Sequence, residues 1–162
     1  MFGRAVFSED GNYRYRLERR WGDGSSVCFV MCNPSVADAV SDDATIRRCV
    51  RFARSWGYGG LTAVNLYAYR ATLPRDLFKA HDPVGPLNDD HIVEADRDCA
   101  LTVVAWGTEA ALGSRAAAVL GLLRPDPHCL AIGRAGAPVH PLYQRGCLVP
   151  TPFEATQSTG WG

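Results

Sequence analysis

The run VCFVMC at residues 27–32, followed at once by Asn33-Pro34-Ser35, decides how the chain is read. Six consecutive apolar residues show no alternation, so a strand built from them needs cover on both faces. That is the position of a central strand in a parallel sheet, and the elements around it should supply helices for both sides.

The neighbouring sequence fits that demand. Residues 43–56 read as a helix: Ile46, Cys49, Val50, Ala53 and Trp56 keep the 3.6-residue period, Arg47, Arg48, Arg51 and Arg54 fall on the opposite side, and Gly57 stops it. LTAVNLY (61–67) is the next strand, and a short helix opens near Pro74. Asn88-Asp89-Asp90 is the acidic start of a helix to about residue 98, with Asn88 as its cap. ALTVVAW (100–106) is a third buried strand, and Thr108 caps a helix reaching about Leu123. CLAIG (129–133) is a fourth strand, CLV (147–149) a short edge strand, and 150–162 a loose tail. Upstream, RAVF (4–7) and YRYRLERRW (13–21) form a hairpin with Tyr13, Tyr15 and Leu17 on one face and Arg14, Arg16 and Glu18 on the other. The expected architecture is α/β: a three-layer α/β/α sandwich with a central, mostly parallel four-stranded sheet plus an N-terminal β-hairpin. Residues 1–150 form one domain and 151–162 the tail.

Composition narrows the function. At 162 residues, 47% hydrophobic and 21% charged, the chain is globular, and its longest apolar runs fall far short of the ~20 residues of a membrane span. Charged residues lack an apolar stretch before them at the N-terminus, so no signal peptide is expected and the location expected is cytoplasmic. Seventeen Lys and Arg balance seventeen Asp and Glu, which argues against gripping nucleic acid by bulk charge and leaves room for a local basic strip. The six cysteines form no CxxC pair and read as reduced, buried thiols. The four histidines lack zinc-site spacing, so no metal is expected. GxxxxGK[ST], strand-linked GxGxxG and GxSxG motifs are absent.

Ligands of open parallel sheets bind beyond the carboxyl ends of the strands. Four polar loops leave those ends. The first carries Asn33, Ser35, Asp38 and Asp43; the second Asn65, Tyr67, Tyr69 and Arg70; the third Trp106-Gly107-Thr108; the fourth Gly133-Arg134 through His140-Pro141-Leu142-Tyr143. Each has a plain structural alternative. Asn33-Pro34-Ser35 can be a turn, Asp43 a helix cap, His140 a structural histidine and the arginine set a solvated helix face. Asn65, inside an apolar strand, must find hydrogen-bond partners somewhere. Cys32 reads as a buried thiol rather than a nucleophile.

The series NPSVADAVSDDATIRRCVRFARSWGYGGLTAVNLYAYRAT, then DPVGP, VVAWG and G-x-P-x-HPLY, closely resembles the bacterial and phage family catalogued as domain of unknown function 1643, over roughly residues 4–149. Ala44 stands where that family's pattern leads one to expect Pro. More distantly, the order of motifs resembles the uracil-DNA glycosylase superfamily. Met31-Cys32-Asn33-Pro34 is similar to a Gly-Ile-Asn-Pro turn whose Asn positions water. Asn65 is similar to a base-reading Asn, and His140-Pro141-Leu142-Tyr143 to a late His-Pro loop. Met31 for Gly, Leu142 for Ser and the lack of an aromatic after Asn33 depart from that pattern.

What the resemblance implies is a hydrolase of the nucleic-acid base N-glycosidic bond, for an unusual or modified base, needing no cofactor and no obligate protein partner. It implies Asn33, Asp38, Asp43 and His140 as catalytic, and Ser35, Asn65, Tyr67, Arg70, Trp106 and Tyr143 as substrate contacts. Arg47, Arg70 and Arg134 would hold phosphates, and DNA or a nucleotide-like ligand is the partner. The alternatives on the same cleft are a small-molecule nucleotide or nucleoside enzyme and a non-catalytic nucleic-acid-binding module.

Overall fold

Residues 27–31 are the spine of the molecule. In the computed structural model, which describes residues 1–108 and 113–155, Val27, Phe29 and Met31 enter one apolar cluster and Cys28 and Val30 another. The strand is covered on both sides, as its unbroken apolar run requires.

The elements in order are β1 (Phe2–Phe7), β2 (Arg14–Arg20), β3 (Ser26–Met31), α1 (Ala44–Ser55), β4 (Gly60–Asn65), α2 (Pro74–Leu77), α3 (Asn88–Asp98), β5 (Leu101–Val104), α4 (Gly113–Leu122), β6 (His128–Cys129) and β7 (Thr151–Pro152). All seven strands form one mixed sheet, ordered β1-β2-β4-β3-β5-β6-β7. The middle four, β4, β3, β5 and β6, are parallel; β1, β2 and β7 run antiparallel to their neighbours.

The expected α/β class holds, but the sheet is larger than four strands. The hairpin is no appendage: β2 pairs with β4, so it extends the sheet. The second extension is β7. Thr151 and Pro152, expected in a loose tail, pair with β6, and Phe153 is seated against Trp106. Residues 156–162 of that tail lie outside the described residues. No strand forms at 147–149, and the fourth parallel strand contracts to His128–Cys129. The helix expected from Thr108 is described only from Gly113; its start lies outside the described residues.

Two features of β2 escape a two-residue alternation. The register with β1 jumps from Val6↔Arg16 to Phe7↔Arg14, which leaves Tyr15 as an extra residue in a bulge. The bulge turns Tyr15 onto His91 of α3, on the same side as Arg16, which pairs with Glu94 and Asp98. Arg14 turns to the α1 side, where its guanidinium donates to the Ala37 carbonyl at 3.0 Å. Arg14 and Arg16, expected on a solvent face, are buried, and Arg19 on the Leu17 side is buried as well.

Helix α1 forms as its pattern predicts. Asp43 caps it by accepting from the Ile46 N–H at 2.8 Å, and Ile46, Cys49, Val50, Phe52 and Ala53 face the sheet. Arg48 is only half exposed and lies over the Phe52 ring, so the arginine face is not wholly solvated. Asn88 is not the cap of α3. It is buried at the first helical position, and its Nδ2 donates to the carbonyls of Asn65 and Leu66 where β4 ends. Of the cysteines, 28, 49, 99 and 129 are buried thiols as expected, while Cys147 is exposed. Among the described residues, no helix is long and apolar enough to cross a membrane.

Candidate functional site

The chain order within the parallel strands creates a crevice. From β3 the chain passes through α1 to β4 on one side, and from β4 it returns through α3 to β5 on the other side of β3. Connections therefore diverge at the carboxyl ends of β3 and β5, the place where ligands of open α/β sheets bind. A cavity of about 430 Å³ opens there, lined by Cys32, Asn33, Trp106, Gly107, Thr108, Val139, His140 and Gln144. This is within the range of a small-ligand pocket.

Each wall is fixed by backbone pairing. Gly107 sits at φ +87°, a conformation glycine adopts without strain, and its N–H donates to Pro138 at 2.9 Å. Val139 N–H donates to Ala131 at 3.0 Å, so the segment carrying His140 is pinned between β6 and the end of β5. Asn33 follows β3 directly. Its Nδ2 donates to Ala71 at 3.0 Å and Pro34 at 3.2 Å, which fixes the amide plane and leaves Oδ1 as the acceptor turned away from those carbonyls.

His140 carries the most specific geometry. Its Nδ1 accepts from the Leu142 N–H at 3.2 Å, so in the neutral ring the proton resides on Nε2. Burial lowers its pKa below the ordinary histidine value, while the Asp43 charge opposes that shift. The neutral Nε2–H tautomer is thus held near pH 7, a donor on the cavity wall. Protonation would place a second hydrogen on Nδ1 and break the Leu142 contact.

The structure brings together Asn33, Trp106 and His140 of the expected set and adds Gln144, a residue the sequence did not single out. Asp43 stands at the start of α1, and its charge acts on both His140 and Arg14. Asp38 does not enter the cavity wall. It is half-buried, and its Oδ1 accepts from Val40 at 2.9 Å and Ser41 at 2.7 Å, bonds that depress its pKa and shape the loop. Asn65 is 1% exposed, does not line the cavity, and neither amide atom has a hydrogen-bond partner. Tyr67 packs edge-on to Phe78 in the α3-side cluster and does not itself line the cavity, although its N–H donates to the carbonyl of Cys32, which does.

Arg47 is exposed with Nη1 on the Asp42 carbonyl, and Arg134 lies exposed in the 3-10 turn Arg134–Gly136. Ser35 and Arg70 line a separate cavity of about 300 Å³. Tyr143 is 94% exposed beside Gln144. Among the described residues, no group of three His, Cys, Asp or Glu side chains is placed to hold a metal ion.

Comparison with curated proteins and with solved structures finds no match. A family model does match, over residues 14–142, which span β2 through β6 and every residue lining the cavity except Gln144. The chain belongs to the family described as "Protein of unknown function (DUF1643)".

Proposed function

We propose that this protein hydrolyses an N-glycosidic bond to a nucleic-acid base, with an unusual or modified base as substrate. The observation carrying this reading is a neutral Nε2–H donor on His140 and an oriented amide on Asn33 lining one cavity of about 430 Å³. In such a reaction the bond from C1′ to the base nitrogen breaks and its electron pair leaves with the base. Water oxygen then bonds to C1′, and a water proton neutralises the anion directly or through a carboxylate. The Nε2–H of His140 stabilises the departing anion, and Oδ1 of Asn33 accepts from the attacking water. Asp43, whose charge reaches His140, is the carboxylate suited to accept the water proton. Trp106 supplies an aromatic wall. The uracil-DNA-glycosylase-like three-layer arrangement belongs to this proposal.

Tyr143 supports a ligand at this loop. Gln144 N–H bonds back to Pro141 at 3.4 Å, so Tyr143 occupies the third position of a turn at φ +68°, where glycine is normally found. A tyrosine held there, exposed, is strained without a packing reason in the described molecule. Tyr143→Gly is expected to raise unfolding stability by about 0.5–1 kcal/mol while lowering turnover, since left-handed backbone costs a side-chain-bearing residue about 1–2 kcal/mol and glycine's chain entropy returns part of it. A denaturant melt and a rate measurement on the same variant check both halves.

The second reading, an enzyme acting on a free nucleotide, is favoured by the zero net charge. Incubation with oligonucleotides carrying uracil, hypoxanthine or hydroxymethyluracil, read as alkali-labile abasic sites, tests the first reading. Asn33→Ala should lose turnover far more than binding.

A further inference from the structure

The cavity lined by Gly11, Asn12, Ser35, Tyr69, Arg70 and Thr72 lies beside the first, and the two share a wall. Asn33 lines one, Ala71 lines the other, and the Asn33 Nδ2 to Ala71 bond joins them. Behind the second cavity stands Arg14. Its backbone N–H donates to Ala68, and its guanidinium ends at the carbonyl of Ala37, just beyond Ser35 and Val36 of the cavity wall.

Arg14 is 2% exposed, its Nε has no hydrogen-bond partner, and among the described residues it forms no ion pair. Asp43 contributes attraction without a salt bridge, its Oδ1 being engaged by the Ile46 N–H. Arg70 adds a second positive charge at the rim, where its Nη1 donates to Gly11 at 3.0 Å. Burial pulls the Arg14 pKa down to about 10, the mark of a cation held without adequate compensation. An unneutralised buried guanidinium is costly unless a charged partner completes it. A tetrahedral anion suits the Arg70 guanidinium and the Ser35 hydroxyl on the cavity wall, and the Arg14 charge behind that wall adds to the positive field there.

We propose that Arg70 and the hydroxyl of Ser35, with the buried Arg14 cation behind their wall, form the binding position for a phosphate ester whose attached base occupies the neighbouring His140 cavity. The phosphate half stands on its own geometry; the base half rests on the proposed glycosidic reading. The substrate unit is then a nucleotide, carried as a free monophosphate or within a strand.

Titration of the intact protein with inorganic phosphate, thymidine monophosphate, thymidine and a short oligothymidylate, followed by calorimetry, separates these cases. Phosphate and the monophosphate are expected to bind, and thymidine to bind at least about tenfold more weakly than its monophosphate. Arg70→Ala and Ser35→Ala should each weaken phosphate binding, Arg70→Ala by about tenfold or more, while Arg97→Ala on the exposed side of α3 leaves it unchanged. Arg14→Gln, which removes the charge behind the wall, should weaken it; if that variant does not fold, the two rim variants decide.

Oligothymidylate binding that competes with phosphate assigns a strand, and its failure with retained monophosphate binding assigns a free nucleotide. No binding of any phosphate-bearing probe, or full affinity in Arg70→Ala and Ser35→Ala, overturns the proposal. Because binding is read without turnover, its failure is distinct from failure to release a base.

Discussion

His140→Ala is expected to lower turnover by about 10²–10³-fold with binding largely retained. That is the loss typical when one preorganised donor to a developing anion is removed. The effect should be large because the donor is held in place before the substrate arrives. The Leu142 N–H fixes the tautomer, and pairing of Val139 with Ala131 fixes the loop.

The same geometry sets a pH dependence. The folded pKa of His140 lies below the ordinary value of 6.5, so the neutral donor persists on acidification past that point. The acid limb of the rate profile therefore falls below pH 6.5. Stability contributed by the neutral ring is complete above the unfolded pKa and is lost as pH falls from there through the folded pKa. Asp43→Asn removes the proposed base and so lowers turnover, but it retains an N-cap side chain and removes the charge that favours the imidazolium, so the limb of its residual activity should move lower still. A limb that moves upward in that variant would contradict the assignment.

Arg19→Ala is expected to cost about 3 kcal/mol or more of unfolding stability and to loosen the loop that follows Asn33. Arg19 is buried, and its Nε meets Asp42 at 2.8 Å while Nη2 meets the carbonyls of Asp38 and Ser41. One guanidinium thus ties the sheet to a segment with little regular structure of its own. Removing it leaves Asp42 and two carbonyls without their donor. Hydrogen exchange should report faster opening of residues 38–42 than of α1, and Arg19→Lys, with no planar fork, should rescue only part of the loss. A variant within about 0.5 kcal/mol of the native protein would show that the loop is held by other contacts.

Where the sequence speaks clearly, local chemistry is the reason. β3 is legible because its apolar run leaves no solvent face. α1 is legible because a cap, a 3.6-residue period and a terminal glycine agree. The convergence of Asn33, Trp106 and His140 follows from the rule that ligands gather at the strand ends where connections diverge.

What stays hidden depends on distant partners. The bulge at Tyr15 turns Arg14 to the Leu17 side and Tyr15 to the Arg16 side without any local mark in YRYRLERRW, so Arg14 looks solvated although it is buried. Pairing of β2 with β4, and of Thr151–Pro152 with β6, links segments far apart in the chain. Asn88 reads as a cap because Asn commonly is one, yet its partners are the carbonyls at the end of β4.

The most direct measurement is release of free base by the intact protein. A panel of single- and double-stranded oligonucleotides with modified bases, together with the corresponding free nucleotides, would be followed by mass spectrometry. The account predicts a released base and a matching abasic or ribose product from at least one substrate, lost in Asn33→Ala and His140→Ala. Folded protein that releases no base from any of them, or releases it equally well without His140, would contradict it.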